Sequence, residues 1–357
     1  MSVHVFTYDT AHPGDTSAFC AVLADFDPAT IRRLAVLAKT EGNAEVNDYS
    51  REYGLQSTEL AIARHGGQPL VDRSTFLFST GCEGAMTPFG TLFIDTLEPG
   101  PPSPRGSALA IGCARSRSLR PEEIGTPLHA DLVADAVRGA MRDAGVDAPE
   151  VALVIVKTPV SSHLPPAPGA VVNKRITSAH SKAVGALGAG VALGEVDRAR
   201  ISEESIDNDH SLYARRAMVF SGAELDCAEV MLLANRRGAA GTLSVHTGLL
   251  ADLLDAQGLR DLFTAAGCAL DARGQVADPS RLAATLVKAG SAPDGRVRGR
   301  RTTMKASHID MDKHVRAAVS GIVGSVLGDT RSFISANTVH QAPPGGGLAA
   351  CIVRHDA

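Results

Sequence analysis

The chain has no tryptophan, and aromatic residues make up only 4% of its 357 residues. That scarcity argues against the stacking surfaces on which single-stranded nucleic acid is held. It also lacks an excess of positive charge. Lys and Arg number 35 against 39 Asp and Glu, a net charge of −4, so no field draws it to nucleic acid or an anionic membrane. The cluster Arg296, Arg298, Arg300 and Arg301 is too local to change that balance. The six cysteines (Cys20, Cys82, Cys113, Cys227, Cys268, Cys351) form no C-x-x-C and share no ligand spacing with histidine. Free thiols in a reducing compartment are the expectation, without a disulfide framework or a zinc site. Long apolar runs are absent too. Val184 to Leu193 is glycine-rich and too short to span a bilayer, and MSVHVFTYDT has neither a basic n-region nor an apolar h-region. A cytoplasmic protein without nucleic-acid or membrane partners is expected.

What the chain does have is an apolar fraction of 44%, enough for a substantial core, and an internal repeat. Three apolar runs end in lysine: LAVLAK at Lys39, VALVIVK at Lys157 and LAATLVK at Lys288. Three later runs end in serine: STFLFS at Ser79, AMVFS at Ser221 and RSFIS at Ser335. Short strands open the repeats near residues 4, 110 and 244. Amphipathic helices follow at Asp15–Phe26, His129–Ala144 and Leu250–Ala266, the second with Leu132, Val133, Ala136, Val137 and Met141 on one face. The strands TLFIDTL, EVMLLAN and LAACIVR close the repeats. The pattern predicts an α+β fold of three concatenated sheet-plus-helix units around a pseudo-threefold axis. The units are expected at 1–103, 104–250 and 251–357, the first boundary lying in the proline-rich EPGPPSPRG.

A serine hydroxyl attacks only when a neighbouring base takes its proton. Lysine serves if burial or nearby positive charge lowers its pKa; a fall from about 10.4 to roughly 7.5 takes about 4 kcal/mol. Three lysines converging on one pocket would supply it by mutual repulsion. The small residues after each serine, Thr80 and Gly81, Gly222, and Ala336, would let backbone N–H groups approach a carbonyl oxygen. Arg51, Lys182 and Arg316, one between each lysine and its serine, are candidates to grip ring carbonyls. Each residue also has a plainer reading: a lysine at a strand end is commonly solvated, a serine there a turn or helix cap, and the cations exposed helix charges. The parallel placement of three pairs favours chemistry.

The dispersed segments AKTEGNAEVNDYSR (38–51), STGCEGAMTP (79–88), VKTPV (156–160), ALGAGVALGEV (186–196), DHSLYARR (209–216), SGAEL (221–225), PDGRVRGRRTTM (293–304) and HQAPPGGG (340–347) span nearly the whole chain. In these the sequence resembles the cyanuric acid hydrolase and barbiturase family of ring-opening amidohydrolases. The resemblance implies three Lys–Ser pairs around a central site (Lys39 with Ser79, Lys157 with Ser221, Lys288 with Ser335) in a homotetramer. It implies Lys157 as base and Ser221 as nucleophile, the other pairs with Arg51, Lys182 and Arg316 holding a small cyclic imide. The implied product is carboxybiuret, which decarboxylates to biuret, with no catalytic metal. Barbiturase, another cyclic amidase and a non-catalytic binding protein of the same fold are the alternatives. Three departures stand out: Lys182 where cyanuric acid hydrolases carry arginine, Thr80 in a motif that usually reads SGG, and Gly290 in place of an acid. That acid would join the glycine loop Gly345–Gly347 in holding a structural divalent cation. Arg51, Arg316 and Glu83 lean towards cyanuric acid as the substrate.

Overall fold

A computed structural model describes residues 1–43, 47–160, 168–169 and 177–356. Unit A comprises β1 (Ser2–Asp9), α1 (Ser17–Leu23), β2 (Ile31–Thr40), α2 (Ser50–Gly66), α3 (Gln68–Asp72), β3 (Thr75–Thr80) and β4 (Phe89–Thr96). Unit B comprises β5 (Ser107–Arg115), α4 (Pro127–Ala144), β6 (Val151–Pro159), α5 (Ser178–Ala192), β7 (Ala217–Gly222) and β8 (Glu229–Arg237). Unit C comprises β9 (Leu243–Leu250), α6 (Ala256–Ala265), β10 (Leu282–Ala289), a hairpin of β11 (Arg296–Val297) and β12 (Arg300–Arg301), α7 (Met311–Leu327), β13 (Phe333–Ala336) and β14 (Gly347–Arg354).

Each unit folds into a four-stranded sheet of the same topology: β1-β4-β2-β3, β5-β8-β6-β7 and β9-β14-β10-β13. The first strand and the last pair antiparallel. The two strands on either side of the second long helix (α2, α5 or α7) pair parallel, because a helical crossover returns the chain in the same direction. The expected boundary at 250 is corrected by this pairing. Residues 243 to 250 are β9, hydrogen-bonded to β14 along its whole length, so unit C begins before Leu243. The division at 103–104 lies between β4 and β5. The basic cluster falls on the hairpin, whose turn residues Arg298 and Gly299 both have positive φ, 50° and 74°, as a tight two-residue hairpin requires.

Successive strand residues face opposite sides, and the apolar residues sort accordingly. Leu37, Leu77 and Phe93 of unit A, Ile155, Met218 and Met231 of unit B, and Leu286, Phe333 and Leu348 of unit C meet in one core enclosed by the three sheets. The opposite faces carry the helices. In unit B, Val133, Ala136, Val137 and Ala140 of α4 pack on Val154, Val156, Val230 and Leu232. Helix α4 starts with Pro127 in its first turn and stops at Gly145, left-handed at φ 65°. Within its expected face, Leu132 and Met141 lie only half-buried, and Ala140 replaces them at the contact.

Candidate active site

Strand alternation decides where each lysine and serine points. In β2, Ala35 and Leu37 face the shared core, while Leu34, Val36 and Ala38 face the helices. Lys39 continues the inner row. In β3, Leu77 is inner and Phe76 and Phe78 are outer, so Ser79 is inner as well, directly opposite Lys39 in the parallel pair. Unit C repeats this: Lys288 follows Ala284 and Leu286, Ser335 follows Phe333, and the two are register partners. Lys39 Nζ lies 3.3 Å from Ser79 Oγ and donates to the Thr80 carbonyl at 3.0 Å. Lys288 Nζ lies 2.9 Å from Ser335 Oγ and donates to the Ala336 carbonyl at 2.7 Å.

Unit B differs by one residue. Lys157 follows Leu153 and Ile155 on the inner face, but the residue opposite it is Phe220, which follows Met218. Ser221 follows Ala217 and Val219 on the helix-facing side, opposite Thr158. Its Oγ sits 2.6 Å from Ser178 Oγ, at the start of α5, and donates to the Ser178 carbonyl at 3.3 Å. The expected base–nucleophile pair Lys157–Ser221 is therefore corrected: the two side chains leave opposite faces of the sheet. Lys157 instead forms a buried ion pair with Glu224.

The structural equivalents are Ser79, Phe220 and Ser335 in one ring, and Thr80, Ser221 and Ala336 in the next. Thr80 behaves as Ser221 does. Its hydroxyl donates to Asp48 at 2.7 Å and lies 3.3 Å from Ser50 Oγ, at the start of α2. It ties strand to helix, and its carbonyl accepts from Lys39. Ala336 packs in the outer core of unit C. Gly222 sits opposite Pro159, and its carbonyl accepts from the Val160 N–H at 3.1 Å. Phe220 fills the vacated inner position with apolar bulk: its ring centroid lies 5.4 Å from that of Phe333, over which Lys39 Nζ stands at 5.5 Å.

The three helix cations reach across the unit boundaries in one rotational sense. Arg316 of α7 in unit C donates from Nε and Nη2 to Glu83 of unit A at 2.5 and 2.7 Å. Arg51 of α2 in unit A lies 3.4 Å from Glu224 of unit B. Lys182 of α5 in unit B lies 3.4 Å from Asp312 of unit C. Each sheet's lysine thus has one neighbour's cation beside it: Arg316 for Lys39, Arg51 for Lys157 and Lys182 for Lys288. Gly81, at φ 93°, permits the Arg316 approach; a Cβ there would stand 2.9 Å from Nε.

Electrostatics separate the lysines further. Burial, reinforced by the charges of Arg316 and Lys182, lowers Lys39 to about 7. Burial drives Lys288 well below its ordinary value, and Lys182, Lys39 and Arg316 push the same way. Burial also lowers Lys157, but there the Glu224 carboxylate opposes it. Burial would raise Glu83 and Asp312; Arg316 holds Glu83, and Lys182 and Lys288 hold Asp312, below the usual carboxylate range. The structure therefore gathers Lys39, Ser79, Lys288, Ser335, Lys182 and Arg316 into one polar cluster, and leaves Lys157 with Glu224 and Arg51. Such a cluster can deprotonate a hydroxyl and polarise carbonyl groups. Glu224, Asp312 and the blocking Phe220 were not among the expected site residues. For Phe220 and Glu224 the signal was spacing: Ser79 precedes Glu83 by four residues, as Phe220 precedes Glu224, whereas Ser221 precedes it by three.

The residues near the glycine loop do not fit a cation held by an acid beyond the third lysine. A side chain at Gly290 would collide with Thr338, whose hydroxyl donates to the Gly346 carbonyl at 3.0 Å. Among the described residues, no group of three or more His, Cys, Asp or Glu is placed to hold a metal ion, and no helix is long and apolar enough to cross a membrane.

Three concatenated units closing around buried lysine–serine pairs define a pseudo-symmetric α+β hydrolase scaffold. Residues 4–354 match the family described as amidohydrolase ring-opening protein. The cyanuric acid amidohydrolase of Rhizobium leguminosarum bv. trifolii is 36% identical, covering 100% of this chain and 99% of its own. The cyclic amide hydrolase of Azorhizobium caulinodans is 34% identical over 99% of this chain and 100% of its own. A solved cyanuric acid hydrolase superposes with a TM-score of 0.89 at 32% identity, and the crystal structure of the A. caulinodans hydrolase with 0.88 at 34%, each covering 99% of both chains. The chain belongs to the ring-opening amidohydrolase family, and with it to the hydrolases of cyclic amides.

Proposed function

We propose that the chain hydrolyses one ring amide of cyanuric acid by way of a lysine-activated serine. The observation that carries this reading is the pair of buried lysine–serine contacts facing one core, with Lys182 and Arg316 beside them. A neutral lysine amine accepts the serine proton as Oγ bonds to a ring carbonyl carbon. The cations stabilise the charge that develops on oxygen. Collapse breaks the ring C–N bond, and the departing nitrogen takes the proton back from the ammonium. Water then adds to the acyl carbon and releases the serine, which regains its proton. One water is consumed and carboxybiuret is formed; loss of carbon dioxide leaves biuret. The names of the relatives support the substrate.

The Lys182 substitution keeps barbituric acid as a second reading, since an ammonium cannot reproduce the two-point grip of a guanidinium. Purified protein assayed on both rings side by side tests the choice. Release of biuret from cyanuric acid is expected. Turnover of barbituric acid alone would move the substrate, and binding of either ring without turnover would identify a ligand-binding member of the family.

A further inference from the structure

We infer that the cavity beside Lys157, between units A and B, is the proton outlet of the site, with Glu229 passing protons between the Lys157–Glu224 pair and solvent. The inference rests on the ring-opening reading for the proton that has to leave. Hydrolysis places the OH of one water on the acyl carbon and a hydrogen on the departing nitrogen. The carboxyl group so formed ionises near neutral pH, which sets one proton free per turnover inside a buried site.

The three sectors differ in what stands beside each lysine on the last strand of its unit. Lys39 is opposite Phe89 and Lys288 opposite Leu348, both buried in the shared core. Apolar bulk closes off those two lysines on that side. Lys157 is opposite Glu229, which continues the inner row of Met231 and Leu233. Carboxylate and ammonium are close enough for each to act on the other's titration. Glu229 Oε2 accepts from the Phe76 N–H at 3.2 Å, on the edge strand β3 of unit A. Its Oε1 lies 3.0 Å from Nε of Arg115, whose side chain is 43% exposed. A chain of ionisable groups thus runs from the buried lysine to the surface.

Room for water accompanies that chain. A cavity of about 250 Å³ lies between Glu59 of α2 and Asp226 and Glu229 of unit B, and it reaches Lys157 and Glu224. Waters occupying roughly 30 Å³ each fit there in a row. Glu224 has a bond to offer one: its Oε2 is buried and accepts no hydrogen bond among the described residues, although Arg51 Nε lies 3.4 Å away. A water held on that oxygen continues the path from Glu224 towards Glu229. Burial raises Glu229 above the ordinary carboxylate value against the pull of Arg115 and Lys157, which brings it closer to a group that can both take and give a proton near neutral pH. The remaining titratable groups on the cavity wall are Glu59 and Cys227, both raised by burial, and the exposed Asp226.

Glu229→Gln in the full-length protein is the first test, because glutamine keeps the shape and the acceptor for Phe76 but has no acid proton to pass. Its kcat on cyanuric acid should fall about tenfold or more while KM stays within about twofold. Glu229→Ala should lose as much, and added formate, small enough to enter the space left, should restore kcat as its concentration rises. A purely structural role gives no such rescue. Arg115→Met removes the ion pair but keeps the acid, and its kcat should stay within about threefold of the unmodified protein. The outlet is overturned by a kcat of Glu229→Gln within about twofold of the unmodified value, by a loss in Glu229→Ala that formate leaves unchanged, or by an equal loss in Arg115→Met. If the unmodified protein opens neither cyanuric nor barbituric acid, the ring-opening reading fails and a spectroscopic arm judges the outlet by itself. Difference infrared spectra should show a protonated carboxyl that titrates above the free glutamate value of about 4.3, shifts in deuterium oxide and is missing from Glu229→Gln. Absence of that band overturns the outlet.

Discussion

Units A and B carry the same strands in the same order, and each ends its parallel pair at a lysine and a small polar residue. In unit A the lysine meets a hydroxyl on the inner face; in unit B it meets an aromatic ring, and the hydroxyl is on the other side. One residue of displacement converts a candidate catalytic pair into two structural contacts. Lys157 is neutralised by Glu224, and Ser221 anchors the start of α5. The lesson is that a polar residue in a sheet has its role set by the parity of its position, because a shift of one exchanges the two faces.

The comparison breaks most visibly in stability. Removing one partner of a buried ion pair strands the other charge, so Lys157→Met should cost about 3–5 kcal/mol in urea denaturation. Lys39 has a hydroxyl and a carbonyl for partners. Replacing it with methionine of similar volume removes a desolvated amine and should raise the melting temperature. Equal effects in the two variants would mean that the lysines are electrostatically alike, and the distinction between the units would go with it.

The next effect is catalytic. Arg316→Ala removes the fork beside Ser79 and should lower kcat/KM by about 10²- to 10³-fold, as loss of one carbonyl-oxygen donor does. A change of under about threefold would mean that Arg316 serves only to hold Glu83.

A pH profile tests whether Lys39 acts as the base. On the proposed mechanism the base must be neutral, and burial lowers Lys39 to about 7 in the folded protein. Turnover should therefore rise about tenfold per pH unit below 7 and level off above it. The sign for stability follows from proton binding. Between about 7 and the ordinary lysine value near 10.4 the unfolded chain binds the proton that the folded chain lacks, so this group makes stability rise with pH across that window. In Lys39→Met both dependences should flatten. A profile that keeps its limb near pH 7 in that variant would transfer the role to another group.

The three-unit architecture was legible because it is written in periodic apolar runs: the lysine-ended and serine-ended strands are β2, β3, β6, β7, β10 and β13. Two of the three lysine–serine pairs were legible for the same reason. The third is not, because a serine that ends an apolar run does not by itself show which face of the sheet it occupies. The face was decided instead by counting in twos from Met218 to Phe220. Lys182 and Arg316 were recognisable as cations between strands, but their partners Asp312 and Glu83 lie 130 and 233 residues away. Such contacts depend on how whole units turn about the axis, which no local pattern encodes. The boundary at 250 fell inside the strand near residue 244 that opens the third repeat, and pairing with β14 places that strand, β9, in unit C.

The smallest expected effect bears most directly on the displaced serine. Ser221 contributes hydrogen bonds to Ser178, of the kind whose net worth is about 1 kcal/mol, much as Thr80 is bonded beside Ser50. Ser221→Ala should therefore lower stability by about 1 kcal/mol while turnover of the ring substrate stays within about threefold of the unmodified enzyme, a change well below the scale of a lost nucleophile. Thr80→Ala should lower stability in the same way, because it removes the equivalent tie between strand and helix. Loss of turnover in Ser221→Ala with stability intact would mean that β7 slips by one residue when substrate binds, bringing the hydroxyl to the inner face. That slip would have to move Phe220 out of the core beside Phe333, at a cost of about 1.5–3 kcal/mol for exposing a buried aromatic ring. The packing of Phe220 therefore keeps Ser221 facing α5, and the pair of measurements on that variant decides whether it does so throughout the reaction.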